Sequence, residues 1–297
     1  SGGCTKTPLN NPYPAEEGSL NILYSSFSER PKHLDPARSY SANEATFTAQ
    51  IYEPPFQYHY LKRPYELVPL TATQMPVPVY LNADGDILPE NAPVEDVAWS
   101  LYEIQIQPGI RYQPHPAFAK TAAGLPRYHR LNAAELDQIK DIGDFEESGT
   151  RELTADDYVY QIKRLAHPKI HSPILGLMSQ YIVGLASLSE RLQAAAEGKD
   201  RLDLRDFPLE GAEVVDRYTY RIKVKGKYPQ FLYWLAMPFF APMPHEADEF
   251  YAQPGLIEKN ITLDWYPVGT GPYMLTLNNP NRQMVMEKNP HFHGESY

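Results

Sequence analysis

Nine histidines and 37 acidic side chains are the groups of this chain best suited to chemistry, and metal ligation is the chemistry that their spacing raises first. His291 and His293, two apart beside Glu295, would share one face of a strand, a workable ligand spacing. Solvent-facing histidines near a strand end have the same pattern, and we read them in that way. His167 and His171 flank a helix terminus, where the dipole favours a cation, so capping is the better reading for them. Asn82, Asp84 and Asp86 gather three oxygen-bearing side chains around Gly85. The later ligands of a calcium loop are missing, and the stretch reads instead as a hairpin turn. No His-Glu-x-x-His pair, paired cysteines, Gly-x-Ser-x-Gly elbow, phosphate loop or dinucleotide fingerprint occurs in the sequence. The scattered acids define no catalytic pair. The expectation is a protein without cofactor, metal or catalytic residues.

Composition narrows the class. A net charge of −10 argues against nucleic acid as a partner, since phosphates call for a basic face. A chain of 297 residues exceeds what one core usually spans, so at least two lobes are expected. No run of about 18 apolar residues is present to cross a membrane. The 29 prolines and 22 tyrosines favour a loop-rich mixed architecture over a helical bundle. The single cysteine, Cys4, excludes a disulfide within the chain. It follows Ser1-Gly2-Gly3 and resembles the mature end of a bacterial lipoprotein, where acyl chains contribute about 0.8 kcal/mol per buried CH₂.

The elements that must position any site follow from pattern. Residues 5–18, with Pro8, Pro12 and Pro14, read as a tether. Leu20 to Tyr24 is a strand candidate, and Asn43 to Tyr52 a short helix buried through Ala45, Phe47, Ala49 and Ile51, stopped by Pro54-Pro55. Pro76 to Tyr80 reads as an edge segment and Trp99 to Gln107 as a strand. Tyr218, Tyr220, Ile222 and Val224 share one face against Thr219, Arg221, Lys223 and Lys225, the clearest half-buried strand of the chain. Thr154 caps a helix whose stripe is Tyr158, Ile162, Leu165 and Ala166 and which ends at His167-Pro168. Further helices are expected over Ala133 to Ile139, Ile174 to Leu188, and Leu188 to a stop at Gly198. In Pro267-Val268-Gly269-Thr270-Gly271-Pro272-Tyr273, both glycines are expected to take positive φ in a tight turn that Pro272 leads into a strand.

That last segment, with Lys288-Asn289-Pro290 after it, resembles the "GTGPY…RNPxY" signature of family 5 extracellular solute-binding proteins. Other matches run in family order. Leu34-Asp35-Pro36 and Gln50-Ile51-Tyr52-Glu53 resemble "LDP…xIYEgL", with Pro54-Pro55 in place of Gly-Leu, and Leu67 to Leu70 resembles "LVPdLA". Tyr102 to Tyr112 is similar to "yTFhLRkGVkF", without the "HDG" that usually follows. Leu153 to Tyr160 with Arg164 to Pro168 resembles "lTAeDVvyS…RllDP", while Val215 to Ile222 and Met237 to Ala241 are similar to "vdDyTvrf" and "pffa".

The resemblance implies a mixed α/β, two-lobed periplasmic-binding-protein-like (type II) architecture. Lobe I would be partial, built from 19–52 and 244–297, with an antiparallel α+β domain, 53–243, inserted after the 1–18 tether. The second large lobe would follow where Asn289 to Tyr297 stands. It also implies capture of an oligopeptide or similar solute and delivery to the permease subunits of an ABC importer. Nickel, haem, glutathione and oligosaccharide receptors share the scaffold; a hydrolase, or a lipid-anchored sensor or chaperone, is the alternative of another class. The implied ligand contacts are the extended backbone of Tyr40, Ser41, Ala42 and Asn43, and the loop around Ser172 and Ile174. The implied setting is the periplasm or cell surface, with the signal peptide removed and lipid attachment at Cys4. Because such receptors bind by closing two walls around a solute, these 297 residues alone are expected to bind weakly.

Overall fold

A computed structural model describes residues 14–294; Cys4 and Glu295 lie outside the described residues. By contacts the chain forms two units, 1–30 and 31–297. In the first, Ala15–Ser19 is a single 3-10 turn across the end of the expected tether. The strand expected at Leu20 to Tyr24 is not formed, and Leu20 and Leu23 are 61% and 94% exposed. An apolar run becomes a strand only when a second strand takes up its N–H and C=O groups.

The second unit runs, in order, through helix α1 (Ala42–Ile51), strands β1 (Phe56–Tyr58), β2 (Leu67–Pro69), β3 (Val79–Leu81), β4 (Ile87–Leu88) and β5 (Trp99–Gln105), and helices α2 (Ala133–Gln138), α3 (Ala155–Arg164), α4 (Leu175–Tyr181) and α5 (Leu185–Ala196). Then come β6 (Ala212–Asp216), β7 (Thr219–Lys225), α6 (Phe231–Trp234), α7 (His245–Tyr251), α8 (Pro254–Glu258), β8 (Tyr273–Asn279) and β9 (Gln283–Lys288). A five-stranded sheet has the order β4-β3-β5-β7-β6, and two hairpins, β1-β2 and β8-β9, stand beside it. All pairings are antiparallel.

The central pair β5 and β7 explains why the sheet holds. Ser100, Tyr102 and Ile104 are buried on β5, and Tyr220, Ile222 and Val224 on β7, with Tyr102 opposite Ile222 and Ile104 opposite Tyr220. The period of two puts apolar side chains on one face, where each fully buried one contributes about 1.5–3 kcal/mol. Helix α3 covers that face; its Tyr158 ring stacks on Tyr220 with centroids 5.1 Å apart. Pro76 and Pro78 precede β3, which is not an edge strand, because the two residues of β4 cover it through the turn at Asn82. The Asn82 Oδ1 accepts the N–H groups of Asp84 and Asp86, closing that turn as the sequence suggests.

Three expectations need correction. The Ile174 to Leu188 stretch is two helices, α4 and α5, separated at Gly184, whose φ of 80° a side chain would resist. Helix α1 forms as expected, but its buried face is Glu44, Thr48 and Ile51, and Ala45 and Ala49 are exposed. Neither Gly269 nor Gly271 has positive φ. They are glycine because the turn presses against the end of α1: a Cβ at Gly269 would lie 1.9 Å from the Ile51 carbonyl oxygen, and one at Gly271 would lie 2.4 Å from that of Gln50. The approach lets the Gly271 N–H donate to the Ile51 carbonyl at 2.9 Å. Beside it, the buried Glu53 carboxylate accepts the Thr270 hydroxyl at 2.8 Å and meets His293 Nε2 at 2.9 Å. Asn289 Nδ2 donates to the Gly271 carbonyl at 3.0 Å. Motif residues far apart in sequence thus knot the end of α1 to the start of β8.

Candidate ligand-binding wall

The segment before α1 is held by two buried carboxylates. Asp35 receives both terminal nitrogens of Arg164, Nη1 at 2.9 Å and Nη2 at 2.6 Å, and the Ala37 N–H at 2.9 Å. The pair is inside the protein, with Arg164 1% and Asp35 5% exposed. Burial works to raise the Asp35 pKa, but the Arg164 guanidinium outweighs it and holds the carboxyl below its usual range. Arg164 is the last residue of α3, the helix that Thr154 starts with a capping box to Asp157. A rigid helix therefore aims the guanidinium at the Leu34-Asp35-Pro36 turn.

Glu44, in the first turn of α1, is the second anchor. Its carboxylate accepts backbone N–H groups from Lys32 at 3.2 Å, His33 at 2.9 Å, Tyr40 at 3.2 Å and Ser41 at 3.4 Å, and the Ser39 hydroxyl at 3.2 Å. Against the effect of burial, these donors lower its pKa. One side chain so fixes both ends of the loop from Lys32 to Ser41. Asp264 braces the same loop from outside, accepting Arg38 Nη1 at 2.5 Å and the Asp35 N–H at 3.3 Å.

On this base Tyr40, Ser41 and Ala42 are exposed and Asn43 is half-buried. Part of their backbone is already engaged, since the Tyr40 and Ser41 N–H groups face Glu44 and the Ser41 carbonyl accepts the Ala45 N–H at 3.1 Å. Among the described residues, the Tyr40 carbonyl, the Tyr40 hydroxyl and the Ala42 N–H at the open start of the helix have no hydrogen-bond partner. The Tyr40 ring rests on Phe239, with centroids 6.0 Å apart and planes at 39°.

The second segment is built differently. Ser172 and Ile174 are 9% and 4% exposed, and Ile174 belongs to the main core. The loop leaves α3 through His171, whose φ is 56°. The Ser172 Oγ is buried with no hydrogen-bond partner among the described residues. The Asp35–Arg164 pair joins the two stretches of chain that carry the segments. The sequence pointed to the segments but not to Glu44, Gln161 or Arg164 as their supports. The available signal was a charged residue inside each of two motifs, Asp35 in one and Arg164 in the other.

Comparison with known proteins identifies the family and the fold that carry these segments. The family model described as "Bacterial extracellular solute-binding proteins, family 5 Middle" matches residues 147–297. The periplasmic oligopeptide-binding protein OppA of Salmonella typhimurium is 29% identical over 140 residues, which cover 47% of this chain and 23% of that protein. Among solved structures, the Escherichia coli murein tripeptide-binding protein MppA matches with a TM-score of 0.55 at 18% identity, over 90% of this chain and 38% of its own. DppA of Helicobacter pylori in complex with peptide STSA matches with a TM-score of 0.52 at 19% identity, over 90% and 38%. The fold is therefore that of the periplasmic binding proteins, of which this chain spans less than two fifths of the length. By its family model and its fold, the chain belongs to the bacterial extracellular solute-binding proteins of family 5.

Proposed function

We propose that this chain forms one wall of an extracytoplasmic receptor that captures oligopeptides or similar solutes and delivers them to an ABC importer. The observation that carries this reading is the Tyr40 to Asn43 segment, exposed through Ala42, on its rigid, buried support. Such a segment offers main-chain groups to an extended partner with little demand on side-chain identity. The relatives are consistent with it: OppA is named for oligopeptide binding, and DppA is solved with a peptide. In the same reading, 19–52 with 244–297 forms the lobe and 53–243 the inserted domain, supported by the bonds from the Leu34 and Asp35 N–H groups to Asp264 and from the Gly271 N–H to the Ile51 carbonyl. The Ser172 to Ile174 loop contributes through its backbone and the exposed Pro173, because the Ser172 and Ile174 side chains are buried. Cys4 attaches the protein to the membrane through lipid, and detergent partitioning of the natively processed protein and its Cys4→Ser variant tests that part. The receptor reading is tested by mass spectrometry of solutes released from the protein carrying this chain, followed by calorimetry with them. Short peptides that bind reversibly are expected; a protein that releases no solute and shows no heat with a peptide mixture would overturn it.

A further inference from the structure

We infer that Tyr40 sets the side-chain preference of this wall, and that the group it selects is an aromatic ring of the bound peptide. The inference rests on the receptor reading above. Tyr40 is 69% exposed, yet it is held from two sides. Its N–H is bound by Glu44 at 3.2 Å, and its ring leans on Phe239, which is 1% exposed. Phe239 is fixed in turn, because its carbonyl accepts Gln161 Nε2 at 3.0 Å and Gln161 Oε1 accepts Arg164 Nη1 at 3.0 Å. The Asp35–Arg164 pair that anchors the backbone therefore also anchors the platform under the ring. Among the described residues the Tyr40 hydroxyl has no hydrogen-bond partner. A large ring kept in place but left open is ready to stack at little entropic cost.

Two ligand groups favour the face of a tyrosine, a second aromatic ring and a cation. The surroundings favour the ring. Asp35 is paired with a guanidinium, and the Glu44 oxygens are taken up by four N–H groups and a hydroxyl, so neither carboxylate presents an open acceptor to a ligand ammonium over the ring. Tyr40 and Phe239 already make an aromatic step, which a third ring extends in the same tilted geometry.

The test is calorimetry of the protein carrying this chain with tetra-alanine and with two sets of tetrapeptides, in which one Phe or one Lys replaces each alanine in turn. It is run on wild type, Tyr40→Phe and Tyr40→Ala, with unchanged thermal midpoints as the folding control. In one register Phe should bind about three- to ten-fold tighter than Ala in wild type and Tyr40→Phe, and this ratio should collapse to near one in Tyr40→Ala. A Phe preference that survives in Tyr40→Ala, or a gain found with Lys instead, would overturn the inference and leave the receptor reading standing. Failure of every peptide to bind wild type would overturn both.

Discussion

Two segments that the family resemblance marks as ligand contacts have opposite surroundings. Tyr40 to Ala42 stand in solvent on buried supports, whereas Ser172 and Ile174 lie inside the protein. An exposed segment on a rigid base offers ring, hydroxyl and main-chain groups to a partner. In the second segment the Ser172 and Ile174 side chains are withdrawn from solvent, which leaves backbone and the exposed Pro173 at the surface. The difference shows that position in a motif does not fix a segment's exposure; the support beneath the segment does.

The support itself should show the largest effect. Arg164→Ala leaves the Asp35 carboxylate buried without its partner, and a loss of about 3–5 kcal/mol is expected in urea unfolding. A loss under about 1 kcal/mol would mean that water replaces the guanidinium and that the pair is not the anchor. Ile174→Ala should cost about 2–5 kcal/mol as a core deletion in a residue 4% exposed. A neutral result would place Ile174 on the surface and erase the contrast between the segments.

How much was legible follows from these residues. The period-two pattern of β7 and the cap at Thr154 are local, so they were readable from neighbours in sequence. The Asp35–Arg164 pair joins positions 129 residues apart, and nothing in the local pattern of either names the other. Gly269 and Gly271 were readable as constrained, but their constraint was misread as turn geometry because the obstacle, the end of α1, lies far off in the chain. The α4–α5 break was missed since an apolar run reads as continuous unless Gly184 is given weight. Of the candidate site, the segment after Leu34-Asp35-Pro36 was named from sequence and its supports were not.

Smaller effects sharpen the contrast. Glu44→Gln retains the shape of the cap but loses its charge, at a cost of about 1 kcal/mol at neutral pH. The folded Glu44 pKa is lowered from its ordinary value of 4.5, so its contribution is complete above that value and is lost as pH falls through the lower folded one. Urea midpoints of the two proteins should therefore converge in acid; a constant gap would show that charge plays no part. Tyr40→Ala should change stability by no more than about 0.5 kcal/mol, because the ring is exposed. A larger loss would make Tyr40 a structural residue and remove it from the wall.

Hydrogen exchange of the protein carrying this chain, with and without a saturating co-purified peptide, tests the central claim most directly. The account predicts new protection at the Ala42 N–H on binding, with Arg38 to Ser41 already slow in the free protein because their N–H groups are bonded to the Asp35 carbonyl and the Glu44 carboxylate. Unchanged exchange at Ala42 while the peptide binds would contradict it and place the ligand elsewhere on the molecule.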